Sequence, residues 1–160
     1  MSTPEQMHEL GRRIASRCLP GDLVLLTGPL GSGKTVLAQG IGAELGVRGP
    51  VTSPTFVIAR VHRGGRLPLV HVDAYRLASV GEVDDLDLDA ELEDSLTVVE
   101  WGAGLTEMLA DAFLEVKLAR RPDDEVRMVQ ICTAGTRWSA ADLEAISDPP
   151  GLPLGTEPEE

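Results

Sequence analysis

Residues 28–35, Gly-Pro-Leu-Gly-Ser-Gly-Lys-Thr, constrain this chain more than any other stretch. They fit G-x-x-x-x-G-K-[ST], the loop that wraps the phosphates of a nucleoside triphosphate. The chemistry needs these residue types in this order. Glycines let the backbone turn tightly, so that successive N–H groups point at phosphate oxygens. Leu30, Gly31, Ser32 and Gly33 form that cradle, Lys34 reaches the β- and γ-phosphates, and the Thr35 hydroxyl is placed to ligate Mg²⁺. Upstream, the short apolar run Leu23–Thr27 reads as a strand buried on both faces. Downstream, Leu37, Ile41 and Leu45 recur every four residues, the stripe of a helix. Strand, glycine loop and helix are the setting such a site requires, since the helix N-terminus adds its dipole and N–H groups. The competing reading is a glycine-rich turn that matches by accident. Against it, the chain has only two lysines, Lys34 and Lys117, and one stands where the motif demands.

At 160 residues and 42% apolar, the chain is expected to form one domain over residues 1–147. The tail 148–160, rich in proline and glutamate, is expected to be disordered. A net charge of −12 argues against direct, non-specific nucleic-acid binding, but leaves open work on a nucleic-acid pathway through a partner. No apolar run approaches the ~20 residues of a membrane span, and no charged-then-apolar leader opens the chain. Cys18 and Cys132 form no C-x-x-C, which predicts reduced thiols and a cytoplasmic location.

Along the chain, Thr3-Pro4-Glu5-Gln6 resembles a capping box, followed by the buried stripe Met7, Leu10, Ile14 and Cys18. Leu19-Pro20-Gly21-Asp22 reads as a type II turn into the loop strand, and Gly46 as the stop of the loop helix. Residues 47–55 show neither period and occupy the place of a nucleotide-sensing switch loop; an ordinary connector is the equal alternative. Phe56–His62 and Leu67–Val72 are strand-like runs joined by Arg63-Gly64-Gly65-Arg66, an antiparallel hairpin. Residues 82–94 are strongly acidic. The run from Asp85 lacks the Gly and Glu of a calcium loop, having Ala90 and Leu96 there, so it reads as a solvated face or a dock for a basic partner. Leu96–Val99 leads into Glu100-Trp101, a short helix with Leu105, Met108 and Leu109 follows, and two strands, Phe113–Leu118 and Val126–Cys132, flank a turn at 121–124. The fold class is therefore α/β: a P-loop NTPase-like three-layer fold with a mixed parallel/antiparallel sheet.

A phosphate loop needs a second feature, an acid at the carboxyl end of a neighbouring strand to hold Mg²⁺. Asp73, after Leu69–Val72, and Glu100, after Thr97–Val99, both qualify, and spacing does not choose between them. His71 shares a strand face with Asp73, and reads as a packed or hydrogen-bonded residue rather than a ligand, because Mg²⁺ prefers oxygen.

Ser53-Pro54-Thr55-Phe56, His71-Val72-Asp73-Ala74-Tyr75-Arg76-Leu77 and Glu100-Trp101, in this order after the loop, resemble the bacterial TsaE family. Members are the ATPase component of tRNA threonylcarbamoyladenosine biosynthesis. The resemblance covers roughly residues 3–140, and four motifs in combination are more specific than the loop alone. It implies a small P-loop ATPase working with the TsaB–TsaD pair, which modifies tRNAs reading A-starting codons, so that tRNA is met only through the complex. If Asp73 or the switch loop orients water only when a partner orders it, the isolated chain is expected to be a slow ATPase. It further implies Lys34 as phosphate clamp, Thr35 and Glu100 as Mg²⁺ ligands, Asp73 as an essential switch acid and Trp101 as a functional aromatic at the nucleotide. Ser53 and Thr55 fall in the switch-like loop. This chain departs from the family pattern at Pro29, Ser32 and Val36, and Gly102 replaces a common proline.

Three rivals remain. A GTPase would carry Asn-Lys-x-Asp, and the chain has no asparagine. A small-molecule P-loop kinase would carry an Arg-rich lid after Glu100, where only Arg120, Arg121, Arg127 and Arg137 are scattered. A non-catalytic module would use bound ATP only to fix a conformation that a partner recognises.

Overall fold

The computed structural model describes residues 1–53, 59–74, 89–100 and 111–147. Pro54, Thr55 and residues 56–58 of the first hairpin strand lie outside these residues. So do Tyr75, Arg76, residues 82–88 of the acidic run, Trp101, the helix expected around Leu105–Leu109, and the tail.

Among the described residues, six strands form one sheet: β1 (Leu23–Thr27), β2 (Ala59–His62), β3 (Leu69–Asp73), β4 (Leu96–Glu100), β5 (Phe113–Arg120) and β6 (Arg127–Ala134). Their order is β2-β3-β4-β1-β5-β6. The central strands β3, β4, β1 and β5 are mutually parallel, while β2 and β6 pair antiparallel at the two edges. The mixed sheet is as the sequence predicts, and for the predicted reason. Each edge strand is joined to its neighbour by a short turn, which permits only antiparallel pairing.

Helices α1 (Pro4–Arg17) and α2 (Lys34–Leu45) cover one face together with α4 (Ala140–Ser147). A single turn, α3 (Asp89–Leu92), precedes β4. The main core buries Met7, Leu10, Ile14 and Cys18 of α1, Leu37, Ile41 and Leu45 of α2, and Val24, Leu26, Val98 and Val116 of the sheet. A smaller cluster, Leu23, Leu25, Val70, Val72, Ala74 and Val99, lies on the opposite face. Two glycines let α1 and α2 touch backbone to backbone. A Cβ on Gly11 would sit 2.2 Å from Leu37 O, and one on Gly40 2.0 Å from His8 O, both inside hard contact.

Local expectations hold with small shifts. Thr3 Oγ1 accepts the Gln6 N–H at 3.2 Å, but the Gln6 side chain reaches back to the Ser2 N–H at 2.7 Å, not to that of Thr3. The chain enters α1 from the sheet edge, where the Met1 amino group donates to Arg127 O and the Arg127 N–H to Met1 O. Asp22 N–H donates to Leu19 O across the turn, and Gly46 caps α2 in the left-handed region. Helix α4 is not anticipated, although Ser139 and Asp142 cap each other's N–H groups at its start, a pattern visible as S-x-x-D.

Candidate functional site

The site lies at the carboxyl ends of β1, β3 and β4. Strand β1 is buried on both faces and runs straight into the glycine loop, which delivers α2. Gly33 is the N-cap of α2 at φ 106°, a conformation that disfavours any side chain, and no side chain caps the helix there. The Met7 side chain lies 3.5 Å from where a Gly33 Cβ would be, and Arg127 3.9 Å, so both back the loop. The loop's apex is open: Leu30 is 94% exposed. Ser32 is buried, and its hydroxyl has no hydrogen-bond partner among the described residues.

Lys34 is buried at the first turn of α2, and its Nζ donates to Gly28 O at 2.7 Å and Pro29 O at 3.0 Å. Burial lowers its pKa from the ordinary lysine value, while the nearby carboxylates of Glu100 and Asp73 act in the opposite direction. One ammonium and two acids from three separate stretches therefore share one electrostatic environment.

The two acids are placed by strand register. Asp73 ends β3, Glu100 ends β4, and they are direct partners across the parallel pair. Glu100 is flanked on its other side by Leu26 of β1, the strand that feeds the loop. Asp73 and Glu100 are 6% and 3% exposed. Spacing did not choose between them because the fold sets them side by side. His71, two residues before Asp73, is fully buried, and its Nε2 lies 2.9 Å from Glu100 Oε1. It is a hydrogen-bonded residue, as read, but its partner is the acid on the next strand.

Of the other predicted residues, Thr35 follows Lys34 in α2, and Leu30, Gly31, Ser32 and Gly33 form the loop. Trp101 and Thr55 lie outside the described residues. In the described part of the switch-like loop, Val51 is buried and Gln39 Nε2 donates to Val51 O at 3.1 Å, tying the segment to α2. Sequence reasoning missed Glu115. It is a buried acid on β5 that accepts the Thr27 hydroxyl at 2.9 Å just before the loop and lies 3.5 Å from Lys117. An acid interrupting the apolar run Phe113–Leu118 was the available signal.

The donors at the site are oxygens: the Thr35 hydroxyl and the carboxylates of Asp73 and Glu100. Among the described residues no group of three or more His, Cys, Asp or Glu could hold a metal alone. That donor set fits Mg²⁺, which binds through one or two carboxylates plus water and phosphate oxygens, and does not fit a dedicated transition-metal cage. A turned glycine loop, an uncapped helix N-terminus and a buried lysine suit a polyphosphate. No helix among the described residues is long and apolar enough to cross a membrane.

Comparison with known proteins agrees with this geometry. Residues 1–129 match the family described as "Threonylcarbamoyl adenosine biosynthesis protein TsaE". A Streptomyces coelicolor protein named "tRNA threonylcarbamoyladenosine biosynthesis protein TsaE" is 53% identical over 147 residues, 88% of this chain and 99% of the relative. The Bacillus subtilis protein of the same name is 35% identical over 136 residues, 84% of each chain. The crystal structure of Bacillus subtilis YdiB superposes with a TM-score of 0.74 at 29% identity, covering 92% of this chain and 90% of that one.

Proposed function

The chain belongs to the TsaE family, and from that premise we propose that it binds ATP with Mg²⁺ and hydrolyses it slowly in the threonylcarbamoyladenosine modification of tRNA. The observation that carries this reading is the convergence of a buried Lys34 with Asp73 and Glu100 at the mouth of the glycine loop. Neutral recognition of a small molecule would not need three buried charges in one place, since each costs several kcal/mol of desolvation unless a ligand or partner compensates it.

In this reading the loop N–H groups and the N-terminus of α2 hold the β- and γ-phosphates. Lys34 turns from Gly28 O and Pro29 O to the phosphate oxygens. Thr35 and Glu100 would hold Mg²⁺, which supplies charge neutralisation on the phosphates when bound. Asp73, beside Glu100 but one strand further from the loop, orients the attacking water. Trp101, next in sequence after Glu100, serves as an aromatic at the nucleotide.

The partner is the TsaB–TsaD pair, and tRNA is met only through that complex. An acidic chain of net charge −12 is poorly suited to gripping RNA directly. The setting is the cytoplasm. Turnover is slow alone and faster in the complex, because an ordered switch loop is what aligns water in enzymes of this type. Steady-state ATPase assays of the purified chain, with and without TsaB–TsaD, test this. Stimulation by the pair is the expected result. Equal, fast turnover in both would remove the switch. Binding without turnover in either would leave a non-catalytic ATP-dependent module.

A further inference from the structure

Glu100 has three rotatable side-chain bonds, and its two register partners offer it no hydrogen-bond donor. Asp73, its register partner on β3, carries the same charge, and Leu26 on β1 is apolar. Lys34 is close but donates to the loop carbonyls of Gly28 and Pro29. Among the described residues, the hydrogen bond to this carboxylate is with His71, whose Nε2 lies 2.9 Å from Oε1. His71 pairs in register with Val98, two residues before Glu100, so it sits directly beneath the carboxylate on the same sheet face.

The choice of histidine there is not explained by packing. The position is fully buried on the face whose nearby sheet residues include Leu26, Leu69, Leu96 and Val98. An aliphatic side chain would fill it without polar atoms. Histidine instead leaves Nδ1 buried with no hydrogen-bond partner among the described residues, which is unfavourable for a buried polar atom. A buried ring with one nitrogen at hydrogen-bond distance from one oxygen of an acid at the nucleotide site is the arrangement by which a neighbour fixes a metal-binding carboxylate.

We propose that His71 is a positioning residue: its Nε2–H holds Glu100 by Oε1 and so presents the second oxygen to the cation that enters with the nucleotide. The proposal rests on the reading of Glu100 as a Mg²⁺ ligand. It also links the two acids mechanically. His71 and Asp73 share strand β3, so a shift of that strand end moves the holder of Glu100 together with the switch acid.

The test is ATP binding to the full chain, titrated with Mg²⁺ and repeated in excess EDTA, for the parent and for His71→Phe, His71→Gln and Glu100→Gln. His71→Phe should raise the Mg²⁺ concentration needed for half-maximal tightening roughly 10- to 100-fold, the usual effect of removing such a neighbour. His71→Gln, whose amide N–H can reach the carboxylate, should recover most of that loss. Binding in EDTA should match the parent throughout, which a merely structural role would not give, since loss of packing weakens both conditions together. A parent-like Mg²⁺ dependence in His71→Phe, with Glu100→Gln impaired, would overturn the proposal alone. A parent-like dependence in Glu100→Gln would overturn the Glu100 assignment and the proposal with it. Should His71→Phe fail to fold, the imidazole nitrogen spectrum of the parent decides. A proton on Nε2 is required, and a bare Nε2 with the proton on Nδ1 would overturn the proposal.

Discussion

The two ends of the parallel strands handle charge in opposite ways. At the amino end, Asp22 accepts the Leu19 N–H at 2.7 Å and two bonds from Arg137 at 2.9 and 2.7 Å. Arg137 also donates to Arg17 O and lies over the Trp138 ring. Arg66 donates to Ala15 O and Cys18 O, so two guanidinium groups neutralise the carbonyl end of α1. The charged groups of that end answer one another. At the carboxyl end, Asp73 and Glu100 stand side by side, Lys34 bonds to main-chain carbonyls, and Ser32 Oγ and His71 Nδ1 have no hydrogen-bond partner among the described residues. One end is tied together by ion pairs, and the other gathers a lysine and two acids at the mouth of the glycine loop.

The largest effect expected from breaking this contrast is at Lys34. Lys34→Ala should remove about 3 kcal/mol or more of ATP binding, a loss of at least about a hundredfold, because several charge-assisted bonds to phosphate go at once. Its unfolding midpoint should stay near that of the parent, since a buried charge goes with it. Nucleotide titration and thermal melting check both halves.

The acids sharpen the contrast. Glu100→Gln should weaken only the Mg²⁺-dependent part of ATP binding. Asp73→Asn should leave binding intact and depress turnover, by on the order of 10²-fold for a residue that orients the attacking group. Matched titrations and steady-state rates separate them, and reversed phenotypes would exchange the roles.

At the other end the expectation inverts. Arg137→Ala should cost about 2–3 kcal/mol in stability, below the full penalty of a fully buried pair because Arg137 is partly exposed. Its ATP affinity, measured below the lowered melting temperature, should match the parent.

Much of the site was legible in the sequence because it is local: loop, strand ends and helix start follow one another within residues 23–45. The hairpin and the caps are equally local. What the sequence could not show are contacts across the sheet. Asp22 and Arg137 are 115 residues apart, and His71 and Glu100 are 29 apart. Strand order, not spacing, brings each pair together. Helix α4 was missed despite its Ser139–Asp142 box, because its short run lacks a marked apolar stripe; among its described residues only Ile146 is fully buried. The choice between Asp73 and Glu100 was undecidable for the opposite reason, since parallel register makes them neighbours.

The smallest expected effect concerns Cys18, at the amino end. Burial, with Asp22 nearby, pushes its thiol pKa up from 9.0 to about 12, against the opposing charges of Arg137 and Arg66. Below pH ~9 the thiol keeps its proton in both states and contributes nothing to pH dependence. Above it, the unfolded thiol ionises while the folded one does not, so stability falls as pH rises toward ~12. Denaturant unfolding from pH 8 to 10.5 should therefore fall more steeply for the parent than for Cys18→Ala. Identical slopes would place the thiol in a wetter setting.

The contrast between the two ends is tested most directly by a crystal structure with ATP and Mg²⁺. The expected result has the phosphates in the 28–35 loop and Lys34 Nζ on a phosphate oxygen. Oxygens of Thr35 and Glu100 should lie at about 2.1 Å from the ion, or accept a hydrogen bond from a water that does. Asp22, Arg66 and Arg137 should be unmoved. A nucleotide bound elsewhere, or an ion held by Asp73 with Glu100 remote from it, would contradict the assignment.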